Sequence, residues 1–233
     1  MSRRTVLTIL SAVLIATAHL PAQNAATAAT GGSGPMRPPL FLSEAWKALT
    51  IPQDDHGAWP ASQDAVASPN LQLTLHGPSA KEIVLVGVRG RADVYPLNLW
   101  TGTTTSPTAV TLRDRTNYVD LTSPLAKIRW VVRTSGFHQV RPVVRLADGT
   151  WLVGDRATGP SADFNETDVS LADVRWIKLD ATRVVAVGTF LDHVDLGKVD
   201  EIGFADLMPG SGHGSGGYVN VARFEVFGKP VKR

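Results

Sequence analysis

The chain has no cysteine among its 233 residues. That excludes disulfides, thiol catalysis, cysteine zinc sites and a cysteine-linked lipid anchor. Glutamate is scarce, at Glu44, Glu82, Glu166, Glu201 and Glu225. There is no long amphipathic helical pattern and no internal repeat. No Gly-x-Ser-x-Gly elbow occurs, and no Gly-Lys-Ser/Thr follows a glycine loop, so neither an α/β-hydrolase nucleophile nor a P-loop is present. After the first 20 residues no apolar run approaches the ~20 residues a spanning helix needs.

What the first residues do contain is an export pattern. Met1-Ser2-Arg3-Arg4-Thr5 precedes the apolar run Val6–Leu20, and small residues follow from Ala22 to Ala29. A basic start, an apolar middle and a small-residue exit read as a cleavable signal over residues 1–29. Ala26-Thr27-Ala28 is the best cleavage site, with a cut after Ala22 as the alternative. Ser2–Leu7 also resembles a twin-arginine signal, with Val6 for the usual Phe and Thr8 for the usual Lys. The expected location is periplasmic or extracellular, by the twin-arginine or the general secretory route. The mature chain is not expected to insert in a membrane.

Removing that segment alters the charge. The chain has 23 Lys+Arg and 21 Asp+Glu, and taking away Arg3 and Arg4 leaves 21 of each. The basic pI is therefore no argument for nucleic acid as a partner.

Residues 30–40, with Gly31-Gly32-Ser33-Gly34-Pro35 and Pro38-Pro39, read as a flexible linker. A single domain is expected over 41–233. Ser43–Leu49 is the one segment suited to a helical turn, and Ile51–Pro69 reads as loop. Strand patterns then dominate. Leu71, Leu73 and Leu75 alternate with polar residues, Ile83–Val88 is a β-rich run, and Ile128, Trp130 and Val132 alternate with Lys127, Arg129, Val131 and Arg133. Ala147-Asp148-Gly149-Thr150 between Val140–Leu146 and Trp151–Val153 is a hairpin signal. About ten short strands with frequent turn residues predict an all-β, antiparallel β-sandwich.

Several groups are candidates for chemistry. Gly212, Gly214 and Gly217 formally match GxGxxG, but a strand rather than a helix follows, which excludes a dinucleotide fingerprint. The loop reads as a sandwich-edge connection, or as a ligand or ion loop with His213 as a polar contact. Asp54, Asp55 and Asp206 are oxygen donors of the kind calcium takes, and otherwise ordinary loop acids. Neither Asp54-Asp55-His56 nor Asp192-His193-x-Asp195 has zinc spacing. Trp130 and Trp176 are expected in the core. Trp59, Trp100, Tyr95 and Tyr218 lie at loop edges, where a flat ring can stack on a sugar or cap the core. Arg129 and Arg133 share a face with Lys127, and Arg141 and Arg145 share a face with Val143. If the two strands pair through Ser135-Gly136, the five cations form one stripe suited to carboxylate or sulfate. The other reading is a solvated face balanced by Asp120, Asp148 or Asp180. A glycosidase would need two facing carboxylates, and Glu201 and Glu225 are conceivable partners.

Ala126–Trp130, Leu146–Val153, Asp195–Phe204 and the closing Ala222–Gly228 recur in order. Together these phrases, over residues 70–228, resemble a galactose-binding-like jelly roll, the class holding many carbohydrate-binding modules, and uncharacterised exported bacterial proteins. The resemblance implies a jelly-roll sandwich, a structural calcium and a carbohydrate ligand on loops or a concave face. Three functions follow as expectations: a non-catalytic carbohydrate binder, a polysaccharide hydrolase or lyase, and an envelope protein-interaction domain.

Overall fold

The computed structural model describes residues 37–87 and 95–233. The expected signal segment 1–29 and most of the expected linker lie outside them, as does Val88. Two antiparallel sheets pack face to face. One holds β1 (Leu40–Glu44), β2 (Ala58–Pro60), β4 (Val84–Val86), β5 (Asn98–Trp100), β8 (Lys127–Ser135), β11 (Asn165–Ser170) and β15 (Tyr218–Phe227). The other holds β3 (Leu71–His76), β6 (Thr108–Asp114), β7 (Asn117–Asp120), β9 (Arg141–Leu146), β10 (Trp151–Gly154), β12 (Trp176–Asp180), β13 (Val185–Phe190), β14 (Val199–Asp206) and β16 (Lys229–Lys232). The fold is the all-β antiparallel sandwich that the strand pattern predicts and the jelly roll that the resemblance implies. The described residues form sixteen strands where about ten are expected. The surplus comes mainly from pieces of three or four residues too short to show a period.

The seven-stranded sheet runs β11-β8-β15-β5-β4-β2, with β1 on β15 beyond β5. The nine-stranded sheet runs β13-β12-β10-β9-β14-β6-β3, with β7 on β14 and β16 on β7. Strict alternation along β8 sends Ile128, Trp130, Val132 and Thr134 inward. They meet Phe224 and Val226 of β15 and Phe204 of β14 in the core. Trp130 and Trp176 are both buried, as expected. The Asp148-Gly149 hairpin also forms. β9 pairs with β10, Gly149 has φ +91°, and Asp148 accepts the Thr150 N–H at 2.8 Å. Among the described residues no helix is long and apolar enough to cross a membrane.

Ile51–Pro69 is not all loop, since β2 lies within it, and two further expectations fail. The segment Ser43–Leu49 is not helical. β1 runs through Glu44, and Trp46 then sits at φ +48°. The cause is Glu44, whose buried carboxylate accepts the N–H groups of Trp46, Ala67 and Ser68 at 2.9, 2.7 and 3.1 Å. That capture turns the chain away from a helical path, and the Trp46 indole anchors it by donating to the Val221 carbonyl at 2.8 Å.

The second failure is the five-cation stripe. β8 and β9 do not pair. β8 lies between β11 and β15, whereas β9 lies between β10 and β14 of the opposite sheet. The connection after Ser135-Gly136 crosses the sandwich edge, held by buried His138. Lys127, Arg129 and Arg133 therefore face out from one sheet, and Arg141 and Arg145 belong to the other.

Candidate functional site

Register builds a row of side chains on the outer face of the seven-stranded sheet. Arg133 lies opposite Asn220, Asn220 opposite Trp100, and Trp100 opposite Val84. Opposed residues of an antiparallel pair project to the same side. The row thus joins four strands, β8, β15, β5 and β4. Within it, Asn220 donates to the Asn98 side-chain oxygen at 2.7 Å, and Asn98 donates to the Pro96 carbonyl at 2.8 Å. Both asparagines are fully buried, so their amides must be paired within the protein, and this ladder pairs them.

Above this floor stand Tyr95, Phe164 and Tyr218. Their rings surround the Arg133 guanidinium, whose carbon lies 5.1, 5.5 and 5.3 Å from the three centroids. Cations attract aromatic faces over this range. Arg133 also donates to the Tyr218 hydroxyl at 3.2 Å and to Asn220 at 3.4 Å. Tyr95 meets Phe164 edge-on at 5.6 Å, and Trp100 meets Tyr218 edge-on at 6.1 Å. Arg133 is therefore a fastener for the aromatic wall. Trp100 and Tyr95 form one side of a depression of about 440 Å³, completed by Gln53, His56, Gly57, Val86 and Gly87. Its volume falls within the range of small-ligand sites, about 300–1,000 Å³.

The glycine-rich loop supports this wall. Gly214 donates its N–H to the Gly102 carbonyl at 3.1 Å. A Cβ placed on Gly214 would lie 2.5 Å from the Trp100 ring. Glycine is thus needed there for close approach to the indole.

Four of the sequence candidates, Tyr95, Trp100, Arg133 and Tyr218, come together here. The others do not. Trp59 lies opposite Leu85, packs against the core and donates its indole N–H to the Ile51 carbonyl at 2.8 Å. Arg129 is bound to Asp168 at 2.7 Å and Glu166 at 3.3 Å. Arg141 donates to the Asp155 carbonyl at 2.9 Å, and Arg145 to Glu201 at 2.9 Å. His213 is engaged within its own loop by Ser215 at 2.6 Å. Phe164 and Gln53 were not singled out by sequence. A lone Phe between two polar residues carries no period, and its place opposite Arg133 depends on the sheet order.

The expected calcium set does not assemble. Asp54 accepts the N–H groups of His56 and Ala58, while buried Asp206 contacts His138 and accepts from Thr101. Among the described residues no three His, Asp or Glu side chains converge as metal ligands.

Two carboxylates on the sheet faces, Asp168 and Asp200, are paired with cations. Asp168 is held below the ordinary carboxylate range by hydrogen bonds from Arg129 and Lys127. Burial pushes Asp200 up, but hydrogen bonds from Arg233 and Arg113 outweigh it, and the net displacement is downward. A general acid for glycoside cleavage must hold its proton near neutral pH. These two groups are biased the opposite way.

No protein-family model and no curated protein sequence matches the chain. Solved structures with a similar arrangement of strands include the family 11 carbohydrate-binding module from Clostridium thermocellum in complex with a β-1,3-1,4-mixed-linked tetrasaccharide. That likeness has 13% identity and a TM-score of 0.42, over 82% of this chain and 99% of that one. The Emp47p carbohydrate recognition domain is similar at 10% identity and a TM-score of 0.31, over 76% and 96% of the two chains. An exo-β-agarase is similar at 10% identity and a TM-score of 0.36, with 76% of this chain matched to 25% of the enzyme.

Proposed function

We propose that this is an exported, non-catalytic carbohydrate-binding protein whose ligand enters the depression beside Trp100 and Tyr95. The observation that carries the reading is the combination found there. Two aromatic side chains and two hydrogen-bonding side chains, Gln53 and His56, line one concavity on a sheet face. A sugar ring offers C–H faces to the aromatics and hydroxyls to the amide and imidazole. The rings are also pre-organised by Arg133 and Tyr218, which lowers the ordering cost of binding.

A glycan array with the mature protein, covering neutral and acidic polysaccharides with and without EDTA, tests this. Binding to at least one glycan class is expected. Trp100→Ala is expected to weaken it at least tenfold, about 1.4 kcal/mol. Because Asp54, Asp55 and Asp206 form no common site, binding should survive EDTA. Absence of binding to every glycan would overturn the proposal and leave the protein-interaction reading in its place.

A further inference from the structure

Behind the aromatic wall, on the core side, lies a buried polar relay that the binding reading does not use. Asp206 at the end of β14 is 2% exposed, His138 3% and Thr101 2%. His138 Nδ1 lies 2.7 Å from Asp206 Oδ2. A carboxylate only accepts, so the imidazole Nδ1–H donates. The Thr101 hydroxyl donates to the same oxygen at 3.0 Å and accepts the Val219 N–H at 3.0 Å. The Thr101 N–H in turn donates to the Val219 carbonyl at 3.1 Å.

The sequence neighbours of these residues matter. Thr101 follows Trp100, and Val219 follows Tyr218. Alternation places Thr101 and Val219 inward and the two aromatics outward. One carboxylate from the nine-stranded sheet thus fixes the spacing of two strand ends on the other sheet. Those strand ends carry the Trp100–Tyr218 pair. The imidazole completes the arrangement from the other side. A Cβ on Gly217 would lie 2.5 Å from its ring, so the residue before Tyr218 rests directly on His138.

We propose that His138, Asp206 and Thr101 are positioning residues for the Trp100–Tyr218 wall. They set the placement of the Trp100 indole through the Thr101 hydroxyl and the His138–Asp206 hydrogen bond. The assignment rests on the reading of that wall as a ligand surface, but its test requires no ligand.

Acrylamide quenching of the mature protein provides the test, with Trp100 isolated as the difference between each protein and its Trp100→Phe counterpart. Two matched pairs are compared. Thr101→Val removes the hydroxyl at constant shape, and Thr101→Ser restores it. His138→Leu removes the donor to Asp206, and His138→Asn retains one. Thr101→Val and His138→Leu are each expected to raise the Trp100 quenching constant about twofold. Thr101→Ser and His138→Asn should keep it near the wild-type value. Unchanged quenching in both loss variants would overturn the proposal. So would equal effects from the two members of each pair, which would indicate packing alone. Failure of both loss variants to fold, judged by far-ultraviolet circular dichroism, would also overturn it and make the relay scaffold. If no glycan binds but the quenching pattern holds, the positioning assignment stands and the carbohydrate reading falls.

Discussion

Replacing Glu44 with Ala should be among the most destabilising single changes available in this protein. Its carboxylate is 1% exposed and collects three backbone N–H groups. An orphaned buried donor costs about 1–3 kcal/mol. Trp46 N lies in a fully buried bond and should incur the top of that range, about 3 kcal/mol. Ala67 is exposed and Ser68 half-buried, so water can partly replace the lost acceptor, at about 0.5 kcal/mol each. The expected total is about 4 kcal/mol, or a melting temperature lowered by roughly 8–16 °C for a domain of this size. Glu44→Gln keeps one oxygen for Trp46 and Ala67, but it loses the Ser68 bond and sets an amide NH2 against the Ser68 N–H, so about 1–2 kcal/mol is expected. Equilibrium urea unfolding reads both values, provided the slope is unchanged. A loss below about 1 kcal/mol in Glu44→Ala would refute the reasoning. So would a Gln variant as damaged as the Ala variant.

Three other outcomes are expected. Burial raises the Asp114 carboxyl, but hydrogen bonds from Thr116 and Asn117 more than offset this and hold it below its ordinary value. Its contribution is therefore present above the unfolded value near 3.9 and lost as pH falls through the folded one. Urea midpoints of Asp114→Asn should fall less steeply below pH 4 than those of the wild type. The same logic applies to His76, whose pKa is lowered by burial and by Arg145 against the opposing effect of Glu201. Stability should decline as pH falls below about 6.5, and His76→Asn should remove that slope in urea titrations. Finally, a Cβ on Gly203 would overlap the Val110 carbonyl of the neighbouring strand. Gly203→Ala should therefore fail to yield soluble folded protein, which expression and circular dichroism would show.

Much of the sandwich was legible because alternation is a local signal. Lys127–Ser135 declares its inward residues in every second position, and Asp148-Gly149 declares a hairpin. The site was legible only as a set of residue types. Tyr95, Trp100 and Tyr218 read as loop-edge aromatics and Arg133 as one of three cations along a strand, but their meeting depends on β5, β15 and β8 being adjacent, which no periodicity encodes. For Trp59 the sequence leaves open a sugar platform or a cap on the core, because three strand residues are too few to reveal which face they bury. The arginine stripe failed for a related reason. Ser135-Gly136 carries the composition of a turn, yet composition does not say whether the next strand returns to the same sheet. That choice is made by His138 and Asp206, 68 residues apart.

The pairing of β1 with β15 has a consequence for how the chain reaches its fold. Leu40 and Glu44 lie opposite Phe227 and Phe224, and the Trp46 indole bonds to Val221 across 175 residues. Closing so long a loop is entropically costly before any contact rewards it. Topologies dominated by such distant pairings fold slowly. β15 is also the partner of β8 and β5. A nascent chain lacking Tyr218–Phe227 therefore has no seven-stranded sheet to assemble, and the apolar Leu40-Phe41-Leu42 segment must wait unpaired until those residues have been made.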